Sequence, residues 1–459
     1  MKRFFDKVVA RFNLQSDFIK AVSVLVSGAA FAQIIGILAL PVLTRLYEPS
    51  EFSVFAVYTS CLAILSSVSC LRFEIAVPIP KDDNQAIALV LLALISNIFF
   101  CILVTLFIGF WGSEIIFFLK QPGFSGLIWY LPVGVFFLGL YNSLQFWFTR
   151  KKQFSLIAKT RVKQSLGGVF VQLAMGVYGF SVLGLILGQI VKMSSGGGRL
   201  AFEFYRETHK VLTSLTVSEL EKTFKEYVQF PKYSTFDALA SVASIQLPII
   251  VISSVSSGSE VGYLMLAMQV LAVPITLIGG AISQVYLAQA AEAYEKGAIR
   301  IYTLEVLEKL FTYGFGALVF IGIVSPTVMG HIFGAKWDSV GIIITWLVPW
   351  FLLQFISSPI SMVMHIANKQ KTLLFITVCG LVIKTVAIYI QYRVNPLYIV
   401  HAYAISNAIF YLACYFLFTK TALLKSRDHV DLLKKSIKPT LLLIVLAMLL
   451  IFVLSKLGL

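Results

Sequence analysis

The feature that most constrains this chain is a rhythm of apolar stretches about 20 residues long, separated by short polar loops. That length matches the roughly 30 Å hydrocarbon core of a bilayer when it is wound as a helix. Ala86–Phe110, for example, contains no charged side chain. Thirteen such spans are expected, at Lys20–Leu43, Phe52–Leu71, Ala86–Phe110, Leu127–Thr149, Val162–Tyr178, Ser181–Ser195, Thr235–Ser254, Val261–Ala290, Leu304–Ser325, Gly341–Ile366, Thr372–Gln391, Pro396–Thr419 and Pro439–Leu457. With 58% hydrophobic and only 13% charged residues, no soluble core could hide them. The expectation is an all-α polytopic membrane protein.

The net charge of +15 at first suggests nucleic acid. Its distribution excludes that partner, because the basic residues are scattered through inter-span loops rather than gathered in a groove. With the N-terminus placed in the cytoplasm, 30 of the 37 Lys and Arg residues fall in inside segments and 5 outside. Lys192 and Lys384 lie within spans. Basic residues resist translocation, so the asymmetry predicts N-terminus in, C-terminus out. Residues 1–20 read as an interfacial amphipathic helix or a basic tail, with no cleavable signal. Five cysteines lie in apolar runs without CxxC spacing, so no metal or disulfide framework is expected. No GxxxxGK[ST] string is present, and no nucleotide or other cofactor is expected.

The loop from Gly196 to Ser234 opens on three glycines, read as a flexible linker, and continues as a cytoplasmic amphipathic helix. Ser218 with Glu221 reads as its capping box, and Glu221–Lys225 as an i,i+4 pair. On either side of it the chain repeats weakly. Pro41 is followed by Glu51 and Phe52, and Pro248 by Glu260 and Tyr263. This predicts two six-helix lobes in parallel repeat, over residues 1–195 and 235–419, joined by 196–234. Residues 420–459 supply a basic loop and one extra C-terminal span.

The strings PVLTRLYEPSEFSVF, LRFEIAVPIPKDDNQA, VQFPKYSTFDALASVASIQLP and GYLMLAMQVLAVPITLIGGAISQVY resemble the polysaccharide, or O-antigen, flippases. These form a branch of the multidrug/oligosaccharidyl-lipid/polysaccharide exporter superfamily. The resemblance implies two six-helix lobes around a central cavity, with alternating access in the bacterial inner membrane. It also implies export of an undecaprenyl-diphosphate-linked glycan, with membrane lipid, H⁺ or Na⁺ and other polysaccharide assembly proteins as partners. Family members commonly have twelve or fourteen spans, so thirteen departs from the pattern. A lipid II-type flippase, a cation-coupled multidrug exporter and a membrane glycosyltransferase or polymerase are the competing classes. The short outside loops and the cationic bias argue against the last two, and no enzymatic activity is expected.

A diphosphate headgroup in a cavity calls for fixed positive charge, because a buried anion without partners costs several kcal/mol. Lys384, mid-span in LVIKTVAIYI, is the sharpest candidate, the alternative being a packed or snorkelling lysine. Lys192 is a second candidate. Arg45 and Arg72 fall in the family's strings and read either as site residues or as interfacial anchors paired with Glu48 and Glu74. Asp237 is the candidate for ion coupling, with a structural helix-end role as its alternative. Among polar residues in spans, Gln33, Asn97, Asn142, Gln145, Gln246, Gln269, Gln284, Gln354 and Asn407 are candidates for sugar hydroxyls or for interhelical contacts.

Overall fold

A computed structural model describes residues 17–256, 258–367 and 369–456. The interfacial segment expected over residues 1–20 lies outside the described residues except for its last four, which belong to the first long helix. Among the described residues the chain is helical throughout.

The first half consists of α1 (Asp17–Leu46), α2 (Pro49–Ser69), α3 (Asp83–Leu119), α4 (Tyr130–Arg150), α5 (Phe154–Val177) and α6 (Ser181–Ser214). A short helix, α7 (Val217–Glu226), connects it to α8 (Thr235–Val255). The second half continues with α9 (Glu260–Pro274), α10 (Gly280–Glu295), α11 (Ile299–Leu310) and α12 (Gly316–Phe333). It closes with α13 (Asp338–Ser357), α14 (Gln370–Val394) and α15 (Ile399–Thr421), and α16 (Ser426–Lys456) follows. Single π turns at Ile275–Gly279 and Phe311–Phe315 join α9 to α10 and α11 to α12 without breaking the rods. Pro274, immediately before the first of them, has no N–H to donate and crowds the preceding turn. Counting joined pairs once, the thirteen expected spans each have a rod. The result is two six-helix lobes in parallel repeat around a central cavity, plus one additional C-terminal helix.

Eleven stretches are long and apolar enough to cross a membrane. α5 and α6 are not among them: Lys159, Arg161 and Lys163 lie in one half of α5, and α6 carries Gln189, Lys192 and a serine–glycine run over 194–198 before Arg199, Glu203 and Arg206. These two helices pack closely on each other. A Cβ at Gly168 would stand 3.1 Å from the Gly188 carbonyl oxygen, and one at Gly188 would stand 2.8 Å from that of Gly168. Small residues at such crossings let backbones approach.

Two expectations in the connecting segment are corrected. Gly196–Gly198 is no flexible linker, since α6 runs through it to Ser214. Any Cβ at Gly196 would collide with the Gln164 side chain, so that glycine serves packing. The capping box of α7 is Thr216 with Glu219, two residues earlier than Ser218 with Glu221. Thr216 N–H and Oγ1–H both donate to the Glu219 carboxylate, at 2.8 and 2.9 Å, and hold its pKa below the usual range. The Lys225–Glu221 pair forms as expected at 2.6 Å.

The ends of the helices sort into two groups. Asp83 meets Arg150 and Lys151, Gln85 donates to Glu226, and Phe224 of α7 packs 5.6 Å from Phe73, all at the end expected inside. The opposite end carries Arg45, Glu48, Ser253, Gly262, His331 and Lys336. Here the two halves touch.

Candidate functional site

The seam between the halves is stitched at one end. The α1–α2 junction turns within two residues because Pro49 opens α2 and Glu51 Oε2 accepts from the Glu48 N–H at 2.7 Å. That turn presents Arg45 and Glu48 to the second half. Arg45 donates from Nη1 to the Pro41 carbonyl at 2.7 Å and from Nη2 across the seam to the His331 carbonyl at 3.2 Å. Glu48 pairs with Lys336. Trp337, fully buried, donates to the Thr44 carbonyl at 2.8 Å between Phe52 and Tyr263, whose rings lie 4.9 and 5.9 Å away. Gly262 N–H donates to Ser53 Oγ at 2.8 Å, and a Cβ there would collide with the Pro49 carbonyl. Phe52 and Tyr263, which suggested the repeat in the sequence, thus flank the same indole.

Behind the seam lie two cavities. The first, about 360 Å³, is walled by α2, α8, α9, α13, α14 and α15. Lys384 reaches it from α14 and is only 4% exposed. Gly380, one turn earlier, has no side chain and so admits the Phe410 ring. The ammonium rests on that ring 4.2 Å from its centroid, and 5.9 Å from the Tyr411 centroid. Among the described residues Lys384 has no carboxylate partner. A cation–π contact contributes about 0.5–2 kcal/mol, against several kcal/mol for desolvating an ammonium. The balance leaves Lys384 short of an anion. Gln354 Oε1, also in this wall, is buried without a hydrogen-bond donor.

The second cavity, about 270 Å³, is walled by α1, α2, α5, α6 and α9. Lys192 on α6 lines it, its Cβ close to Gly168 of α5 and its outer part exposed. Gln33, Gln172, Gln189, Gln269 and Ser165 contribute to the same wall. Gln269 lines both cavities. Neither wall contains an Asp or Glu. A cavity pair with one lysine each and no acid favours an anionic guest.

The other predicted site residues lie elsewhere. Arg45 and Glu48 belong to the seam. Arg72 and Glu74 lie at the opposite end, Arg72 as the N-cap of the short helix Phe73–Ala76 and Glu74 within it, and pair at 3.5 Å. Glu74 is 6% exposed, and burial raises its pKa against the opposing pull of a backbone N–H and of Arg72. Arg72 sits at φ 61°, in the left-handed region. Asp237 is exposed in the first turn of α8, outside both cavity walls. Gln246, Gln354 and Asn407 line the Lys384 cavity, and Gln33 the Lys192 cavity. The Gln284 side chain lies outside the described residues. Sequence reasoning missed Gln172, Gln189 and Trp337. The signal for the glutamines was their placement four residues beyond Gly168 and one beyond Gly188, on the faces where α5 and α6 approach.

Comparison with known proteins agrees with this arrangement. The family profile described as polysaccharide biosynthesis protein matches residues 42–342. Among solved structures, a lipid II flippase MurJ in an inward closed conformation is 13% identical with a TM-score of 0.69, covering 95% of this chain and 98% of that chain. An inward-facing multidrug resistance MATE family transporter of the MOP superfamily is 14% identical with a TM-score of 0.58, covering 90% and 95%. A MOP superfamily transporter from Pyrococcus furiosus, described as having a binding pocket of reverse polarity that suggests a different function, is 14% identical with a TM-score of 0.55, covering 90% and 98%. No curated protein matches the chain in sequence.

Proposed function

The chain belongs to the polysaccharide biosynthesis protein family, and from that premise we propose that it is a flippase. Its cargo is an undecaprenyl-diphosphate-linked oligosaccharide, carried from the cytoplasmic to the periplasmic leaflet of the bacterial inner membrane by alternating access. The observation that supports this reading most is the pair of acid-free cavities, each with one lysine. A cationic drug would find no counter-charge in either. A diphosphate finds two ammonium groups, one of them buried against aromatic rings with no ion partner among the described residues. Lipid II carries the same lipid diphosphate, so the cargo class is shared with the lipid II flippase and the glycan is the difference.

The halves meet at the end carrying Arg45, Glu48 and Lys336, which we assign to the periplasm from the distribution of basic residues. Cargo then loads from the cytoplasmic side, and release requires that seam to part. With the inside negative, moving a headgroup of charge −2 outward gains about 4–5 kcal/mol per 100 mV. That gain vanishes if cavity lysines travel as counter-charges, in which case a cation gradient supplies the drive, with Asp237 as its candidate carboxylate.

Mass spectrometry of lipid-linked sugars in a deletion strain tests the assignment. Accumulation of one undecaprenyl-diphosphate-linked repeat unit, cleared by the wild-type gene and not by Lys384→Gln, is the expected result. A deletion strain with an unchanged lipid-linked sugar profile and normal surface polysaccharide would refute it.

A further inference from the structure

Resting on that reading, we infer that the two cavities divide the cargo: the amide wall of the Lys192 cavity reads sugar hydroxyls, and the Lys384 cavity holds the diphosphate and the start of the lipid. The two walls differ in chemistry. The Lys384 cavity is mostly apolar, with Leu264, Met265, Met268 and Ile275 on the α9 side, suited to a prenyl chain. Both walls carry four primary amides, Gln246, Gln269, Gln354 and Asn407 in the Lys384 cavity, but the Lys192 cavity sets Gln33, Gln172, Gln189, Gln269 and a serine hydroxyl in a smaller and much less apolar space. Each amide offers both an acceptor and two donors, which matches a hydroxyl that is itself donor and acceptor. Phe52 and Phe55 in the same wall provide apolar faces for the C–H side of a sugar ring.

Polar side chains within membrane helices ordinarily serve as contacts between helices, and one of the four does so. Gln172 Nε2 donates to the Leu185 carbonyl at 3.3 Å, tying α5 to α6. Gln33, Gln189 and Gln269 make no such bond among the described residues, so their amides are free for a guest. Gln269 lies at the junction of the two cavities, where the bond between the first sugar and the diphosphate would pass. With Lys192 and no acid beside them, the amides favour neutral or acidic sugars over cationic ones.

The test measures binding of two probes to the full-length protein in lipid nanodiscs: undecaprenyl diphosphate, and the same lipid diphosphate carrying N-acetylglucosamine. Wild-type protein is expected to bind the sugar-bearing probe more tightly. Gln189→Met and Gln269→Met, which keep side-chain length, should each weaken that probe about three- to tenfold, the size of one or two neutral hydrogen bonds, and change the sugar-free probe less than twofold. Thermal unfolding of each variant confirms that it is folded, and Gln189→Ala serves if the methionine variant is not. Equal weakening of both probes, or of neither, overturns the assignment, as does wild-type protein that does not distinguish the probes. Lys384→Gln is read separately. If it binds the sugar-free probe as tightly as wild type, the diphosphate assignment fails, and the glutamine variants alone still decide whether sugar is read.

Discussion

Among the described residues, Lys384 is attended by aromatic faces and no ion, and Glu74 has its carboxyl buried at the inner end with a partly exposed arginine as its only ion partner. The two cases call for different experiments. On the proposed function the missing partner of Lys384 is the cargo, so Lys384→Gln is expected to reduce glycan export at least tenfold at normal expression, and Lys384→Arg to retain part of it. The exposed control Lys296→Ala should export like wild type, as measured by periplasmic or surface polysaccharide. For Glu74 the consequence is stability. Its folded pKa is raised, so the stability linked to its protonation is present below the ordinary carboxyl pKa and is lost as pH rises through the raised value. Arg72→Ala removes the opposing charge and should destabilise by about 1–3 kcal/mol at pH 8, less than for a fully buried pair because Arg72 is partly exposed. The deficit should shrink towards pH 5, and Glu74→Gln should abolish the pH dependence. Thermal melts in detergent across that range measure both.

At the scale of elements, α9 connects what a transport cycle must connect. It begins at the seam with Gly262 and Tyr263, passes both cavities at Gln269, and ends at Pro274 and a π turn. On the proposed reading, cargo bound beside Gln269 touches the same rod that meets the first half at the seam. Two measurements probe that closure. Cysteines at 48 and 336, in a cysteine-free background, should be bridged by a short bis-thiol reagent, stopping export until the link is cleaved. Export that continues with the link complete would show that this seam need not open. Gly262→Ala puts a methyl against the Pro49 carbonyl. Overpacking of this kind costs about 1–3 kcal/mol, so the ratio of closed to open seam should fall roughly five- to 150-fold. The 48–336 link should then form several times more slowly, with the protein still folded.

Over the whole molecule, the legible part was whatever depends on periodicity and hydropathy. Every expected span has a rod, and the segments assigned to one side by their basic residues gather at one end, because apolar length and charged loops act locally along the chain. The site was legible only in part. Lys384 and Lys192 were conspicuous as charges inside apolar runs, and both line cavities. Arg45 and Glu48 were conspicuous too, yet they serve the seam, since the loop carrying them meets residues nearly 300 positions away. No pattern in the sequence announces that contact, nor the burial of Trp337 within it. The glycines of 196–198 were misread because glycine has the same signature in a loop and in a close helix crossing. What remains is which end faces the cytoplasm. Lys120 and Lys336 are exposed at one end, Glu221 and Lys296 at the other. Single cysteines at these four positions, in a cysteine-free background, should separate cleanly with a membrane-impermeant maleimide. Positions 120 and 336 should label in intact spheroplasts, and positions 221 and 296 only after permeabilisation. A reversed pattern would make the seam a cytoplasmic closure and load the lysine cavities from outside, opposite to export of a glycan made in the cytoplasm.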